Sequence, residues 1–131
     1  MPSNESPTAI VIVDHGSRVD QSNRLLEELA QAFANRFSDR YPIVEPAHME
    51  IAEPSIPTAY ASCVQRGARR IVVCPYFLGP GKHWTQDIPR LTAQAAQKHP
   101  GTQFQITATL GIDDLMLQLL DKRIRESIDL K

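Results

Sequence analysis

Four short strand-like runs, each followed by a segment with helical periodicity, divide the chain into four β-α units. Residues 9–14 (AIVIVD) and 70–75 (RIVVCP) are nearly continuous apolar runs, which are typical of strands buried on both faces of a sheet. The runs at 43–51 and 103–109 carry more polar residues. Pro46 favours an edge strand for the run at 43–51, because proline cannot donate a ladder hydrogen bond.

Between the strands, apolar residues recur at the spacing of amphipathic helices. Asp20 or Ser22 is a suitable N-cap for the first helix, and Pro57 suits the first turn of the second. Pro89 is tolerated in the third helix only within its first turn, since an interior proline removes a helical hydrogen bond. The predicted helices span residues 21–37, 56–66, 84 or 87 to 98, and 112–128.

This alternation predicts an α/β fold. A β-α unit repeated four times requires a parallel sheet with right-handed crossovers and helices on both of its faces. We predict the strand order 2-1-3-4, which places the two most apolar strands side by side at the centre. Residues 9–131 have the size of one domain, and the polar residues 1–8 are predicted to be a disordered lead-in.

Composition and charge exclude several classes of partner. The net charge of the 131-residue chain is −1, and Lys and Arg alternate with Asp and Glu, so we expect no nucleic-acid partner. No apolar stretch has the length of a bilayer span and no signal-peptide pattern is present, so we expect a cytoplasmic protein without membrane contact. Cys63 and Cys74 form no CxxC pair and are predicted to be buried, reduced thiols.

Candidate chemistry concentrates in residues 14–18 (DHGSR), directly after the first strand. In an open α/β sheet this edge is where ligands bind, and Gly16 permits a sharp turn with a close approach. His15 and His83 each follow a central strand, and a neutral imidazole binds divalent metals or accepts protons. Two unrelated surface histidines are the alternative, but their matching positions favour a functional pair.

A second strand supplies further candidates at the same edge. Glu50 lies near the end of the run at 43–51, where its carboxylate suits metal binding or proton transfer, or is a solvated edge charge. His48 lies two residues earlier, hence on the same strand face, and is a further candidate ligand. Arg18 and Lys82 flank the two histidines of the pair and suit an anionic ligand, although ordinary surface charge is the alternative.

The loop after the third strand is unusually apolar. A flat aromatic ligand explains this composition, and so does a dimer interface. The loop after the first strand, by contrast, contains neither the GxxxxGK[ST] of a P-loop nor the GxGxxG of a dinucleotide site. The residues that make the loop after the third strand apolar are Tyr76, Phe77, Leu78 and Trp84.

Short motifs occur in a fixed order along most of the chain. They are Asp14-His15-Gly16-Ser17-Arg18, Ala47-His48-Met49-Glu50, Glu53-Pro54-Ser55-Ile56, Val73-Cys74-Pro75-Tyr76-Phe77-Leu78, Gly81-Lys82-His83 and Asp87-Ile88-Pro89. Their order and spacing resemble those of the sirohydrochlorin chelatases, in particular the short, single-domain form related to the class II chelatases. The resemblance extends from about Ala9 to Leu110.

The resemblance implies a metal-inserting lyase. Its substrates would be sirohydrochlorin and a divalent metal, Co²⁺ or Fe²⁺, with no organic cofactor, in cobalamin or siroheme synthesis. Longer members carry two such domains across a cleft, so a single-domain chain implies a homodimer, with its last helix as a candidate interface. Arg18 and Lys82 would hold carboxylates of the macrocycle.

The family's functional residues correspond to positions of this chain. Its two metal-site histidines fall on His15 and His83, and its catalytic acid falls on Glu50. Glu50 and His48 are further candidate metal ligands. Two histidines with at most one carboxylate suit Co²⁺, Fe²⁺ or Ni²⁺ better than Mg²⁺.

Two other functions remain as alternatives. A carrier that binds metal or tetrapyrrole without catalysis would use the same histidines, and turnover beyond one product per protein distinguishes it from an enzyme. A phosphatase with His15 as nucleophile is the weaker alternative. The residue before that histidine would be an arginine, whereas Asp14 would repel phosphate.

Overall fold

The computed structural model of the chain describes residues 6–129, apart from the side chains of residues 82 and 83. Within this range, four strands alternate with four helices. The strands are Thr8–Asp14 (β1), Ile43–His48 (β2), Arg70–Pro75 (β3) and Gln103–Ile106 (β4). The helices are Asp20–Arg36 (α1), Ile56–Gln65 (α2), Lys82–Gln97 (α3) and Asp114–Asp129 (α4).

The strands form one parallel sheet in the order β2-β1-β3-β4, which confirms the predicted topology. Five consecutive residues of β1 are buried, as expected for a central strand covered on both faces. β2 is an edge strand, so Pro46 costs the sheet no central hydrogen bond. Asp14 pairs with His48 and Val13 with Pro75, so the carboxyl ends of these strands lie side by side.

The two faces of the sheet are covered unequally. Helices α2 and α3 pack on one face, whose core is built around the fully buried Tyr60, Ile71 and Ile88. The other face packs against α1 through a smaller cluster. No residue of α4 in the described range is buried. The buried members of the smaller cluster are Ile10, Ile12, Leu26 and Ala30.

Two predicted boundaries are wrong in ways that affect the site. β2 ends at His48 rather than at residue 51, because the chain turns at Ile51, which has φ of 79°. α3 begins at Lys82, so Lys82 and His83 lie in its first turn and not in the preceding loop. Pro89 lies well inside this helix, which contradicts the prediction that it occupies the first turn.

The remaining boundaries differ from prediction by a few residues. β1 begins at Thr8, which pairs with Arg70, so the strand includes one residue of the predicted lead-in, and residues 1–5 of that lead-in lie outside the described range. Neither Asp20 nor Ser22 caps α1, whose N-cap is Val19 without a side-chain bond. β4 is shorter than predicted, and no helix among residues 6–129 is long and apolar enough to cross a membrane.

Candidate active site at the carboxyl edge of the sheet

The ends of β1 and β2 place two candidate functional side chains next to each other. Beyond the paired Asp14 and His48, the amide of Met49 donates to the Asp14 carbonyl at 2.8 Å. The amide of Glu50 then donates to the His15 carbonyl at 3.2 Å. The parallel pairing therefore extends past the strand ends and fixes Glu50 opposite His15.

The side chains of these two residues meet at this edge. Nε2 of His15 lies 3.1 Å from Oε2 of Glu50, and the two side chains are 45% and 54% exposed. Two donors bound side by side to one first-row divalent ion, each about 2.1 Å from it, lie about 3.0 Å apart when they subtend a right angle. The pair makes an ordinary ion-pair contact, and the same spacing is compatible with two ligands of one metal ion at a solvent-exposed site.

A close backbone approach makes Gly16 necessary at this site. Gly16 has φ of 94°, and a Cβ at this position would overlap the carbonyl oxygen of Glu50. The same carbonyl accepts the amide of Ala52 at 2.9 Å, across Ile51 with its positive φ. The space that Gly16 leaves is thus filled by the backbone of the turn that carries Glu50.

The structure places His48 behind this pair. Its side chain is fully buried, and its Nδ1 lies 2.6 Å from Oδ1 of Asp14. The expectation that His48 and Glu50 share a strand face is wrong, because the strand ends between them. Glu50 consequently points into solvent while His48 points into the protein.

An Asn side chain that the sequence analysis did not single out holds the loop after β1. The amide of Ser17 donates to Oδ1 of Asn23 at 3.0 Å, and Nδ2 of Asn23 donates to the Ser17 carbonyl at 2.7 Å. These bonds tie the loop to the first turns of α1. Only its position one turn into the helix after the DHGSR motif could have indicated this role.

Arg18 is exposed beside a cavity of about 590 Å³. Six residues between Ser17 and Glu27, together with residues 51–53, line this cavity, so it lies between the loop after β1 and the turn after Glu50. Its charged side chains have both signs, and Arg24 is the second cation. The structure therefore places Arg18 near the His15–Glu50 pair, in surroundings that are not purely cationic.

The loop between β3 and α3 is held by its aromatic residues. The rings of Phe77 and Trp84 stack with centroids 4.4 Å apart, and Nε1 of Trp84 donates to the Gly79 carbonyl at 2.9 Å. A Cβ on Gly81 would overlap the indole, so this glycine is needed for the stack. Phe77 and Trp84 thus pack on each other and on the core, and they fix the backbone at the start of α3.

His83 lies in the first turn of α3 at this edge, but its side chain and that of Lys82 lie outside the described part of the structure. Among the side chains that are described, no group of three His, Cys, Asp or Glu residues is close enough to hold a metal ion. Both cysteines are free. Burial raises the pKa of Cys63 to about 12 and also raises the pKa of Cys74, so neither thiol supplies a thiolate near neutral pH.

Comparison with known proteins establishes the family. The CbiX family profile matches residues 9–127. The chain belongs to the CbiX family. It is 53% identical over 119 residues to the chloroplastic sirohydrochlorin ferrochelatase of Arabidopsis thaliana, covering 91% of this chain and 52% of that protein. It is 45% identical over 91 residues to the sirohydrochlorin cobaltochelatase of Methanocaldococcus jannaschii, covering 70% of this chain and 62% of that protein.

A solved structure supports the CbiX assignment. SirB from Bacillus subtilis with Fe³⁺ superimposes with a TM-score of 0.84 at 28% identity, covering 92% of this chain and 47% of that chain. The CbiX chain therefore spans about half the length of the solved chain and between half and two thirds of the curated relatives. The resemblance to the sirohydrochlorin chelatases is confirmed.

Proposed function

We propose that this CbiX chain is a chelatase that inserts Co²⁺ or Fe²⁺ into sirohydrochlorin, for cobalamin or siroheme synthesis. The observation that carries the proposal is the 3.1 Å distance between Nε2 of His15 and Oε2 of Glu50 at the edge of the sheet. Relatives named sirohydrochlorin ferrochelatase and cobaltochelatase support the choice of macrocycle and of metal. The free Cys63 and Cys74 support a cytoplasmic location.

The metal is a substrate of the proposed reaction, and side-chain nitrogen and oxygen atoms bind it before insertion. His15, Glu50 and His83 form the proposed ligand set, in which His83 contributes from the first turn of α3. Imidazole and carboxylate donors suit Co²⁺, Fe²⁺ or Ni²⁺ better than Mg²⁺, which prefers oxygen ligands and retains its water. Arg18 and Lys82 are proposed to bind carboxylates of the macrocycle.

Metal insertion requires two events. The hydrated cation must lose water molecules, and two pyrrole N–H groups must lose their protons. His15 replaces water on the metal, and an exposed position allows it to release the ion afterwards. Glu50 is the proposed catalytic acid–base group, whose solvent-exposed carboxylate takes a proton from a pyrrole N–H and passes it to water.

We also propose a homodimer, because α4 leaves a large apolar surface unpaired. No residue of α4 in the described range is buried, and α1 alone packs on its face of the sheet. An apolar groove of about 250 Å³ remains open on that face, between Phe33 of α1 and Leu110. The exposed apolar residues of α4 in the described range are Leu115, Leu117, Leu119, Leu120, Ile124 and Ile128.

A second copy fits this surface best. The groove is lined almost entirely by apolar atoms of residues such as Ile12 and Cys74. Each chain carries both the helix and the groove. Two copies related by a two-fold axis can therefore cover both helices and both grooves at once. Docking α4 of one protomer into the groove of its partner buries the unpaired apolar side chains.

The decisive experiment mixes the protein with sirohydrochlorin and Co²⁺, Fe²⁺ or Ni²⁺ and follows absorbance against a protein-free control. Multiple turnovers are expected, fastest with Co²⁺ or Fe²⁺. His15→Ala and Glu50→Gln should each lower the rate at least ~100-fold, whereas Glu28→Gln, an exposed carboxylate on α1, should not. A spectral change that stops at one equivalent would instead identify a carrier.

A further inference from the structure

A hydrogen-bonded pair, Asp14 and His48, lies at the ends of the two strands that lead into the proposed metal ligands, His15 and Glu50. Oδ1 of Asp14 and Nδ1 of His48 are 2.6 Å apart, which is short for a nitrogen–oxygen hydrogen bond. The His48 side chain is fully buried and that of Asp14 is 23% exposed. The two residues also face each other in the register of β1 and β2.

The backbone links this pair to both proposed metal ligands, His15 and Glu50. Asp14 immediately precedes His15, and His48 lies two residues before Glu50. The backbone amide of His48 donates to the Pro54 carbonyl at 2.7 Å, which holds the segment returning from the Glu50 turn. A shift of His48 relative to Asp14 would therefore change the distance between the His15 and Glu50 side chains.

Packing alone does not explain why a histidine occupies position 48. Its Nε2 is buried and has no hydrogen-bond partner among the described residues. A buried polar atom without a partner is unfavourable, and an apolar ring of similar size would avoid that cost. The bond from Nδ1 to Asp14 is the one polar interaction that its ring makes among the described residues.

We propose that Asp14 and His48 are positioning residues that set the distance between His15 and Glu50 and thereby the affinity for the divalent metal. Nδ1–H of His48 donates to the Asp14 carboxylate, which locks the ends of β1 and β2 together. Outer partners of this kind commonly change metal affinity about 10- to 100-fold when removed. The proposal rests on the proposed function, in which His15 and Glu50 bind the metal.

Two conservative substitutions separate positioning from direct coordination by His48. The amide nitrogen of Asn takes about the place of Nδ1, whereas the terminal group of Gln takes about the place of Nε2. Positioning predicts that His48→Asn retains the Asp14 bond and stays within about threefold of wild-type Co²⁺ affinity, while His48→Gln and His48→Phe lose about 10- to 100-fold. Coordination through Nε2 predicts the reverse order for Asn and Gln.

The measurement is the Kd for Co²⁺ alone, from its visible absorption, followed by the KM for the metal and kcat with sirohydrochlorin. Urea unfolding checks that each variant is folded, and the Asn and Gln variants decide the question if His48→Phe does not fold. We expect a higher Kd and KM with a smaller change in kcat, and Asp14→Ala should add little in the His48→Gln background because the pair acts as one unit.

The result separates this proposal from the proposed function. If His15→Ala and Glu50→Gln retain Co²⁺ binding and insertion, the proposed function is wrong. If those two variants lose both properties while His48→Gln binds Co²⁺ as tightly as wild type, or more tightly than His48→Asn, only the positioning role is wrong. Equal Co²⁺ affinity in Asp14→Ala and wild type would overturn it as well.

Discussion

The Glu50 carboxylate reaches the His15 imidazole at 3.1 Å because the amide of Glu50 donates to the carbonyl of His15 at 3.2 Å. The side-chain contact is thus built on a backbone contact between the same two residues. The pairing of β1 with β2 thus brings the two side chains within reach of each other. Changes that disturb the ends of these strands should therefore affect the proposed metal site first.

Gly16→Ala should strongly destabilise the protein and lower its metal affinity. Alanine at φ of 94° costs about 1–2 kcal/mol, and overlap of its Cβ with the Glu50 carbonyl adds about 1–3 kcal/mol. Gly67→Ala is a matched control, since Gly67 has φ of 104° but open space around its Cβ position. Urea unfolding measures both, and equal losses of unfolding free energy would contradict the steric argument.

Gly81→Ala should change the environment of Trp84, the single tryptophan of the chain. Gly81 has φ of −144°, which alanine adopts freely, so the effect comes only from the overlap of its Cβ with the indole. Tryptophan emission and near-ultraviolet circular dichroism report the stack of Trp84 on Phe77. Because His83 precedes Trp84, we also expect the KM for the metal to rise roughly tenfold.

The control for this experiment is Gly79→Ala. Gly79 has nothing within 4 Å of its Cβ position and retains the carbonyl that accepts the Trp84 indole N–H. The emission spectrum of the Gly79→Ala variant and its KM for the metal should match those of the wild type. A Gly81→Ala protein with an unchanged spectrum would show that the loop accommodates the extra methyl group without moving the ring.

Leu120→Glu should convert the proposed dimer into a monomer. The side chain of Leu120 is 61% exposed in the isolated chain, so folding of the protomer should not depend on it. Burying an unpaired carboxylate in an interface should raise the dimer Kd by at least ~100-fold. Lys122→Glu, two residues along α4 at a position already charged, is the control. Sedimentation equilibrium that shows the same mass for both variants and wild type would exclude this use of α4.

The stability of the protein should fall above about pH 9 because of Cys63. Burial raises the pKa of this thiol from 9.0 to about 12, so the unfolded chain releases its proton at a lower pH than the folded protein. The contribution is fully present below pH 9 and is lost as the pH rises towards 12. The slope is at most about 1.4 kcal/mol per pH unit.

Urea unfolding of wild type and Cys63→Ala between about pH 8 and about pH 11 tests this dependence. The stability advantage of the wild type should shrink with rising pH, because only the wild type titrates at this position. A difference between the two proteins that stays constant over the range would show that the thiol is not protected from ionisation by burial.

The sheet was predictable from the sequence because burial on both faces leaves a clear pattern. The apolar runs of β1 and β3 indicated the two central strands, and Pro46 indicated the edge. Parallel order then predicted that the residues following these strands meet at one edge. His15 and Glu50 do meet there, as their proximity to the ends of neighbouring strands implied.

The details that depend on tertiary contacts were not predictable. The sequence predicted that β2 extends to residue 51, but the turn at Ile51 with its positive φ reverses the chain and leaves His48 buried. Pro89 indicated a late start for α3, yet the packing of Trp84 on Phe77 supports an earlier one. The bond between Asn23 and the loop after β1 has no sequence signature of its own.

The position of β2 at the edge of the sheet would set the time scale of the proposed metal transfer. β2 is hydrogen-bonded to β1 along one edge, and its other edge is tied only at its end, where the His48 amide donates to the Pro54 carbonyl. The residues just beyond His48 should therefore open locally at a lower free energy than the global unfolding of the domain. Opening at Met49 and Glu50 would separate one donor from His15 while the core stays intact. The ion could then pass from a chelating pair to a single imidazole without any domain movement, at a rate set by fraying of one strand end.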